Sequence, residues 1–180
     1  MARQPLSLKA RAVGLLAQRE HSRAELRRKL LRIEQLLRAR LAATKAASES
    51  SSDGSPDELP TEDDAATASE AGESAVDALL DALAADGYLD ETRFVESRMH
   101  VRASRFGAQR IQQELAQHGL RLDAEQQAAL RATELERARE VWLRRFGMEP
   151  SRNTDERARQ TRFLLARGFA PEVVHRLLRA

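Results

Sequence analysis

Leucine recurs at helical spacing along this chain and glycine interrupts it, which leaves little room for anything but short helices. Leu8, Ala12, Leu15 and Leu16 share one face of the segment 7–19. Leu26, Leu30, Ile33 and Leu37 stripe the next segment. Ser22 and Glu25, three residues apart, read as its capping box, in which each side chain satisfies an orphan amide of the first turn. Val76, Leu79, Leu80 and Leu83 mark a further helix, with Ser74 as its expected N-cap and Gly87 as its stop, after which Tyr88 and Leu89 are expected to pack back. Asp90 then caps a helix carrying Phe94, Val95 and Val101, which Gly107 breaks. Ile111 and Leu115 define a short helix ending at Gly119, where glycine can take the left-handed cap. Asp123 with Gln126 opens a helix toward Leu130, and Leu135, Ala138, Trp142 and Phe146 stripe the one after it. Beyond a loop at 148–153, Ala158, Thr161 and Leu165 continue the pattern to Gly168, and Pro171 stands at a first helical position before Val173, Val174, Leu177 and Leu178. There is no Asn-Gly hairpin, no alternating strand and no βαβ unit. Aromatic residues make up only 4% of the 180 residues, and the helix formers Ala, Leu, Arg, Glu and Gln dominate. The expected class is all-α.

The helices repeat. Setting Gly119 against Gly168 also sets Leu115 against Leu164 and Leu120 against Phe169. The first part of the chain follows the same grammar up to Leu30 and is then opened by a long insertion. The reading is three tandem three-helix repeats, at 1–89, 90–132 and 133–180. Short helix triplets bury little surface alone, so stacking them predicts an elongated, curved molecule that suits an extended partner.

The insertion, about 48–72, is rich in Ser, Asp, Glu, Pro and Gly and nearly free of large apolar residues, so an acidic disordered segment is expected in the first repeat. Residues 46–75 hold nine acids and no Lys or Arg, so the net +2 of the whole chain becomes +11 without them. Of the 30 bases only Lys9, Lys29 and Lys45 are lysine; the other 27 are arginine, whose planar fork pairs bidentately with phosphate and carboxylate.

Nothing in the chain reads as catalytic. Cysteine is absent, which removes disulfides, thiolate zinc sites and a Cys nucleophile and fits a reducing compartment. His21, His100, His118 and His175 have no partner histidine at helical spacing, and there is no HExxH, P-loop, GxSxG or calcium loop. His21 reads as a loop residue beside a cap, and His118 as a cation at a helix C-terminus. No apolar core of a signal peptide opens the chain and no run of about 18 apolar residues spans a membrane. A cytoplasmic monomer with no catalytic residue, cofactor or metal is expected. What remains is basic helix surface. Arg98, Arg102 and Arg105 stand at spacings of four and three, with Arg93 before them and Arg110 just past the Gly107 turn. Arg23, Arg27 and Lys29 form a second group. Such groups bind nucleic acid through phosphate contacts or dock an acidic protein groove; aromatic interleaving is too sparse to indicate a base-stacking platform.

Three stretches resemble the RecX family, the regulatory partners of the RecA recombinase. They are REHSRAELRRKL (Arg19 to Leu30), DALAADGYLDETRFVESRMHVRASRFGAQRIQQEL (Asp81 to Leu115) and RQTRFLLARGFAPEVVHRLL (Arg159 to Leu178). The junction Gly87, Tyr88, Leu89, Asp90, Glu91, Thr92, Arg93, Phe94 is similar to the family's Gly-Tyr-Leu-Asp-Asp-x-Arg-Phe. The run Gly107 to Arg110 resembles its Gly-Pro-x-Arg helix start, with Ala108 in place of proline. The resemblance implies three tandem three-helix repeats, binding in the groove of the RecA–DNA filament with RecA and DNA as partners, and inhibition of filament extension, ATP hydrolysis and strand exchange. The acidic insertion departs from the family pattern. The competing reading is a stand-alone helical DNA-binding module in the helix-turn-helix manner.

Overall fold

The computed structural model describes residues 6–49, 62–147 and 153–179. Nine helices run through them: α1 (Leu8–Leu16), α2 (Arg23–Glu49), α3 (Glu62–Ala85), α4 (Glu91–Ala103), α5 (Ala108–Ala116), α6 (Ala124–Ala132), α7 (Glu134–Phe146), α8 (Thr154–Ala166) and α9 (Pro171–Arg179). Among the described residues there is no strand. The all-α class and the three-helix grouping hold. One core draws on α1–α3, a second on α4–α6 and a third on α7–α9. The chain divides into two compact units, Met1–Glu91 and Thr92–Ala180.

In the first unit Ala12, Leu26, Leu30, Val76, Leu80, Leu83 and Leu89 are buried together. Each leucine fully removed from water contributes roughly 1.5–3 kcal/mol before chain entropy is set against it. Helices α2 and α3 pack antiparallel, because Arg23 meets Asp81, Arg27 meets Asp77 and Glu73, and the Glu34–Arg38 pair lies against Gly72. Gly72 is buried, and a methyl group there would run into the Arg38 guanidinium.

The left-handed glycines close helices as the pattern requires. Gly87, Gly119 and Gly168 have φ of 75°, 76° and 78°. After each, the chain folds back so that the next amide reaches a carbonyl of the last turn: Tyr88 to Leu83 at 2.9 Å, Leu120 to Leu115 at 3.0 Å and Phe169 to Leu164 at 3.3 Å. The alignment of Gly119 with Gly168 therefore has a structural counterpart, and Leu115 and Leu164 are both buried. Capping follows the sequence too. Asp123 and Gln126 form a complete capping box, at 2.7 and 3.1 Å, and Ser22 Oγ accepts from the Glu25 amide at 3.1 Å.

Several expectations are corrected. Of the acidic stretch 48–72, residues 50–61 lie outside the described residues, but Glu62 to Gly72 are helical. Ser74 is accordingly interior to α3 and not its cap. Ala65, Ala66, Ala68 and Ala71 supply helix propensity there, and α2 offers a surface for the helix to lie on. Val101 is 61% exposed, and Tyr88 is 50% exposed beside the buried Leu89. In α8 the buried positions are Gln160 and Leu164 rather than Thr161 and Leu165. Trp142 Nε1 donates to Gln160 Oε1 at 3.2 Å, so a polar residue takes the core position because a buried indole needs an acceptor. His21 is the loop residue beside the Ser22 cap, as expected, and is also buried, 1% exposed.

Candidate functional site

The two predicted arginine groups end up in different electrostatic settings. Arg23 Nη2 donates to Asp81 at 2.6 Å. Arg27 is gripped by Asp77, at 2.7 and 2.9 Å, and by Glu73 at 3.0 Å. Those hydrogen bonds raise the Arg27 pKa and lower that of Asp77. Lys29 lies 3.5 Å from Glu25. Glu25 also binds Arg19 and faces His21 Nδ1 at 3.2 Å, without the alignment of a hydrogen bond. Burial pushes the Glu25 carboxyl up, but the Arg19 hydrogen bonds and charge and the neighbouring His21 hold it down at about 2. Burial lowers the His21 pKa, aided by Arg19 and Lys29. The first group is therefore largely neutralised by carboxylates of α2 and α3.

The second group is split by the end of α4. Arg98 lies over the Phe94 ring at 5.3 Å, and Phe94 in turn meets the His118 ring edge-on at 5.1 Å. Arg102 lies over Phe106 at 5.0 Å and donates to Glu114 at 2.7 Å; Arg110 is 3.7 Å from the same carboxylate. Arg93 is exposed on the first turn of α4. Arg105 falls beyond the helix and is exposed, with no ion pair among the described residues.

Arg105 instead joins three arginines that sequence reasoning passed over. Arg105, Arg144, Arg145 and Arg167 line a cavity of about 370 Å³ with Phe106, Val141 and Phe163. Among the described residues no carboxylate lines it. Arg144 is fixed by a 2.6 Å hydrogen bond to the Ser104 carbonyl. Arg167 is stacked 3.8 Å above the Phe163 ring, which meets Phe146 edge-on at 5.0 Å. Arg145 is exposed. A guanidinium over a ring face is held by the ring's charge distribution and can still donate N–H bonds to an anion.

The frame around this cavity is built from backbone contacts between the α4–α5 turn and the α8–α9 turn. The Gly107 amide donates to Arg167 O at 2.9 Å, and the Gln109 amide to Gly168 O at 3.2 Å. Glu134, 3% exposed, lies between two helix starts: its Oε1 accepts from Ala108 N at 3.0 Å and from Ala170 N at 3.3 Å. A carboxylate there answers both orphan amides and the positive ends of two helix dipoles. One turn on, Arg137 donates to the carbonyls of Ala103, Phe106 and Leu130 at 3.1, 2.8 and 2.7 Å. Its burial lowers its pKa despite nearby Glu134. Neither residue stands out in the sequence, where Glu134 and Arg137 look like one more solvated pair at helical spacing.

Known proteins match along nearly all of this chain. Residues 132–178 fit the RecX third three-helix domain. A protein of Ralstonia nicotianae named Regulatory protein RecX is 44% identical over 180 residues, covering 99% of this chain and 90% of the relative. The chain belongs to the RecX family. Regulatory protein RecX of Leptothrix cholodnii is likewise 44% identical, covering 98% of this chain and 90% of its own. That of Herminiimonas arsenicoxydans is 40% identical over 182 residues, covering 100% and 96%. The RecX resemblance of the three sequence stretches thus extends to whole chains. Among the described residues, no helix is long and apolar enough to cross a membrane and no three potential ligands gather for a metal ion.

Proposed function

We propose that this protein regulates the RecA recombinase by binding the RecA–DNA filament and restraining its extension, ATP hydrolysis and strand exchange. The observation that carries this reading is the near full-length identity to proteins named Regulatory protein RecX. The chemistry fits: the second unit offers arginines on and after α4, among them Arg98, Arg105 and Arg110, to a partner made of phosphate and protein. Arg23 and Arg27 take a smaller part, since carboxylates of α3 already occupy them. No step in this role needs a cofactor; the protein acts by occupying surface.

The test is a titration of this protein into RecA assembled on single-stranded DNA. ATP hydrolysis falls at substoichiometric amounts, since one bound regulator blocks the growth of many subunits. Unchanged hydrolysis and filament lifetime with folded protein sink the reading. Replacing Arg98, Arg102 and Arg105 together by alanine weakens filament binding while helicity is retained.

A further inference from the structure

Among the described residues, the cavity lined by Arg105, Arg144, Arg145 and Arg167 has four positive groups, no carboxylate and an apolar floor. We propose that it is a nucleotide subsite for single-stranded nucleic acid, with the phosphate held by Arg105 and Arg145 and the base laid against the Arg167–Phe163 stack. This deepens the filament reading by assigning the strand to one place on this chain, and it rests on that reading only for its biological setting.

Three observations favour a nucleotide over an acidic side chain. Four guanidiniums with no counter-charge among the described residues exceed what one carboxylate needs, whereas a phosphodiester with its neighbours along the strand supplies repeated charge. A volume of about 370 Å³ lies within the range of small-molecule pockets and would leave a carboxylate loose. Phe106 and Phe163 place flat apolar surface beside the charges, and the Arg167 guanidinium carbon lies 3.8 Å from the Phe163 ring centroid. Aromatic and guanidinium planes beside cations are how unpaired bases are held without sequence preference; a base inside a duplex cannot enter such a hollow. The stacking element that the scattered aromatics of the sequence do not suggest is assembled here from α7, α8 and the α4–α5 turn. By contrast, the cavity of about 450 Å³ lined by Leu165, Val174 and Leu178 sets Glu172 beside Arg157 and His175.

Arg144 and Arg167 also hold the fold, through Ser104 and Phe163, so the test uses Arg105 and Arg145, which have no ion pair among the described residues. Fluorescence anisotropy of a labelled single-stranded oligodeoxynucleotide is measured with the full chain and no recombinase. The variant R105A/R145A should bind at least about tenfold more weakly, with the slope of log K against log salt shallower by about 1.4. The variant R32A/R40A removes the same charge from exposed positions on α2 and should stay within about twofold. A duplex of equal length should compete poorly, and poly-glutamate should not displace the strand at matched charge. Unchanged affinity in folded R105A/R145A, equal weakening in R32A/R40A, or displacement by poly-glutamate overturns the proposal, the last in favour of an acidic protein groove. A failed RecA titration leaves this measurement intact, so the two readings fall separately.

Discussion

The Gly107 amide donates to the Arg167 carbonyl at 2.9 Å, which presses the start of α5 against the end of α8 with no side chain between them. A methyl on Gly107 would collide with the Gly168 carbonyl and the Phe169 amide. Backbone cannot move aside as a flexible side chain can. Gly107→Ala is therefore expected to destabilise the second unit by about 2 kcal/mol or more. It should weaken oligonucleotide binding in parallel, because the turn carries Arg105. Urea unfolding monitored by Trp142 fluorescence checks the first outcome; an unchanged midpoint contradicts the contact.

Glu134 is the second fastener of the same junction. Glu134→Ala leaves the buried Ala108 amide and the half-buried Ala170 amide without their acceptor, at about 1–3 kcal/mol for each buried group left unpaired. Glu134→Gln keeps a carbonyl oxygen and loses only the charge facing two helix dipoles, so its effect should be clearly smaller. If both variants unfold at the same denaturant concentration, hydrogen bonding to Glu134 is not what joins these turns.

Acid should weaken the first unit in two stages. His21 has its pKa lowered by burial, so its stabilising neutral form is fully present above the unfolded value of 6.5 and lost as pH falls below it. Glu25 has its folded pKa at about 2 against 4.5, so its contribution is present above 4.5 and fades as pH drops toward 2. The Glu25 side chain is 14% exposed, and its shift corresponds to an upper limit of about 3 kcal/mol. Thermal melts from pH 7.5 to 3 should show stability declining from about pH 6.5, with His21→Gln removing the upper part of the decline. A flat profile in the wild-type protein contradicts both assignments.

Arg27 is the counter-example to reading every arginine as a contact. Its side chain and that of Asp77 are 35% and 40% exposed, so solvent screens the pair. Arg27→Ala is expected to lower stability only slightly. It should leave the RecA ATPase titration within experimental error, unlike the triple replacement of Arg98, Arg102 and Arg105. Strong loss of inhibition from Arg27→Ala alone would reverse the ranking of the two groups.

The helices, their glycine stops and most of the core were legible in the chain because they rest on neighbours a few residues apart. Leu26 and Leu30 mark a face by spacing alone, Gly119 and Gly168 mark ends by their backbone freedom, and Asp123 with Gln126 closes a cap within one turn. The helical start of α3 was not legible, since Glu62 to Gly72 carry no apolar stripe. The arginine excess was also visible in the sequence, but not its sorting. Arg23 and Arg27 meet acids 58 and 50 residues away, whereas Arg105 meets no acid among the described residues and lies with Arg144, Arg145 and Arg167. Local spacing sets which face of a helix a side chain occupies; only packing decides whether a carboxylate or open space stands opposite it. The sequence by itself therefore determined an all-helical basic chain of the RecX kind, while the tertiary structure decided which charges are spent inside the fold and which are left for a partner.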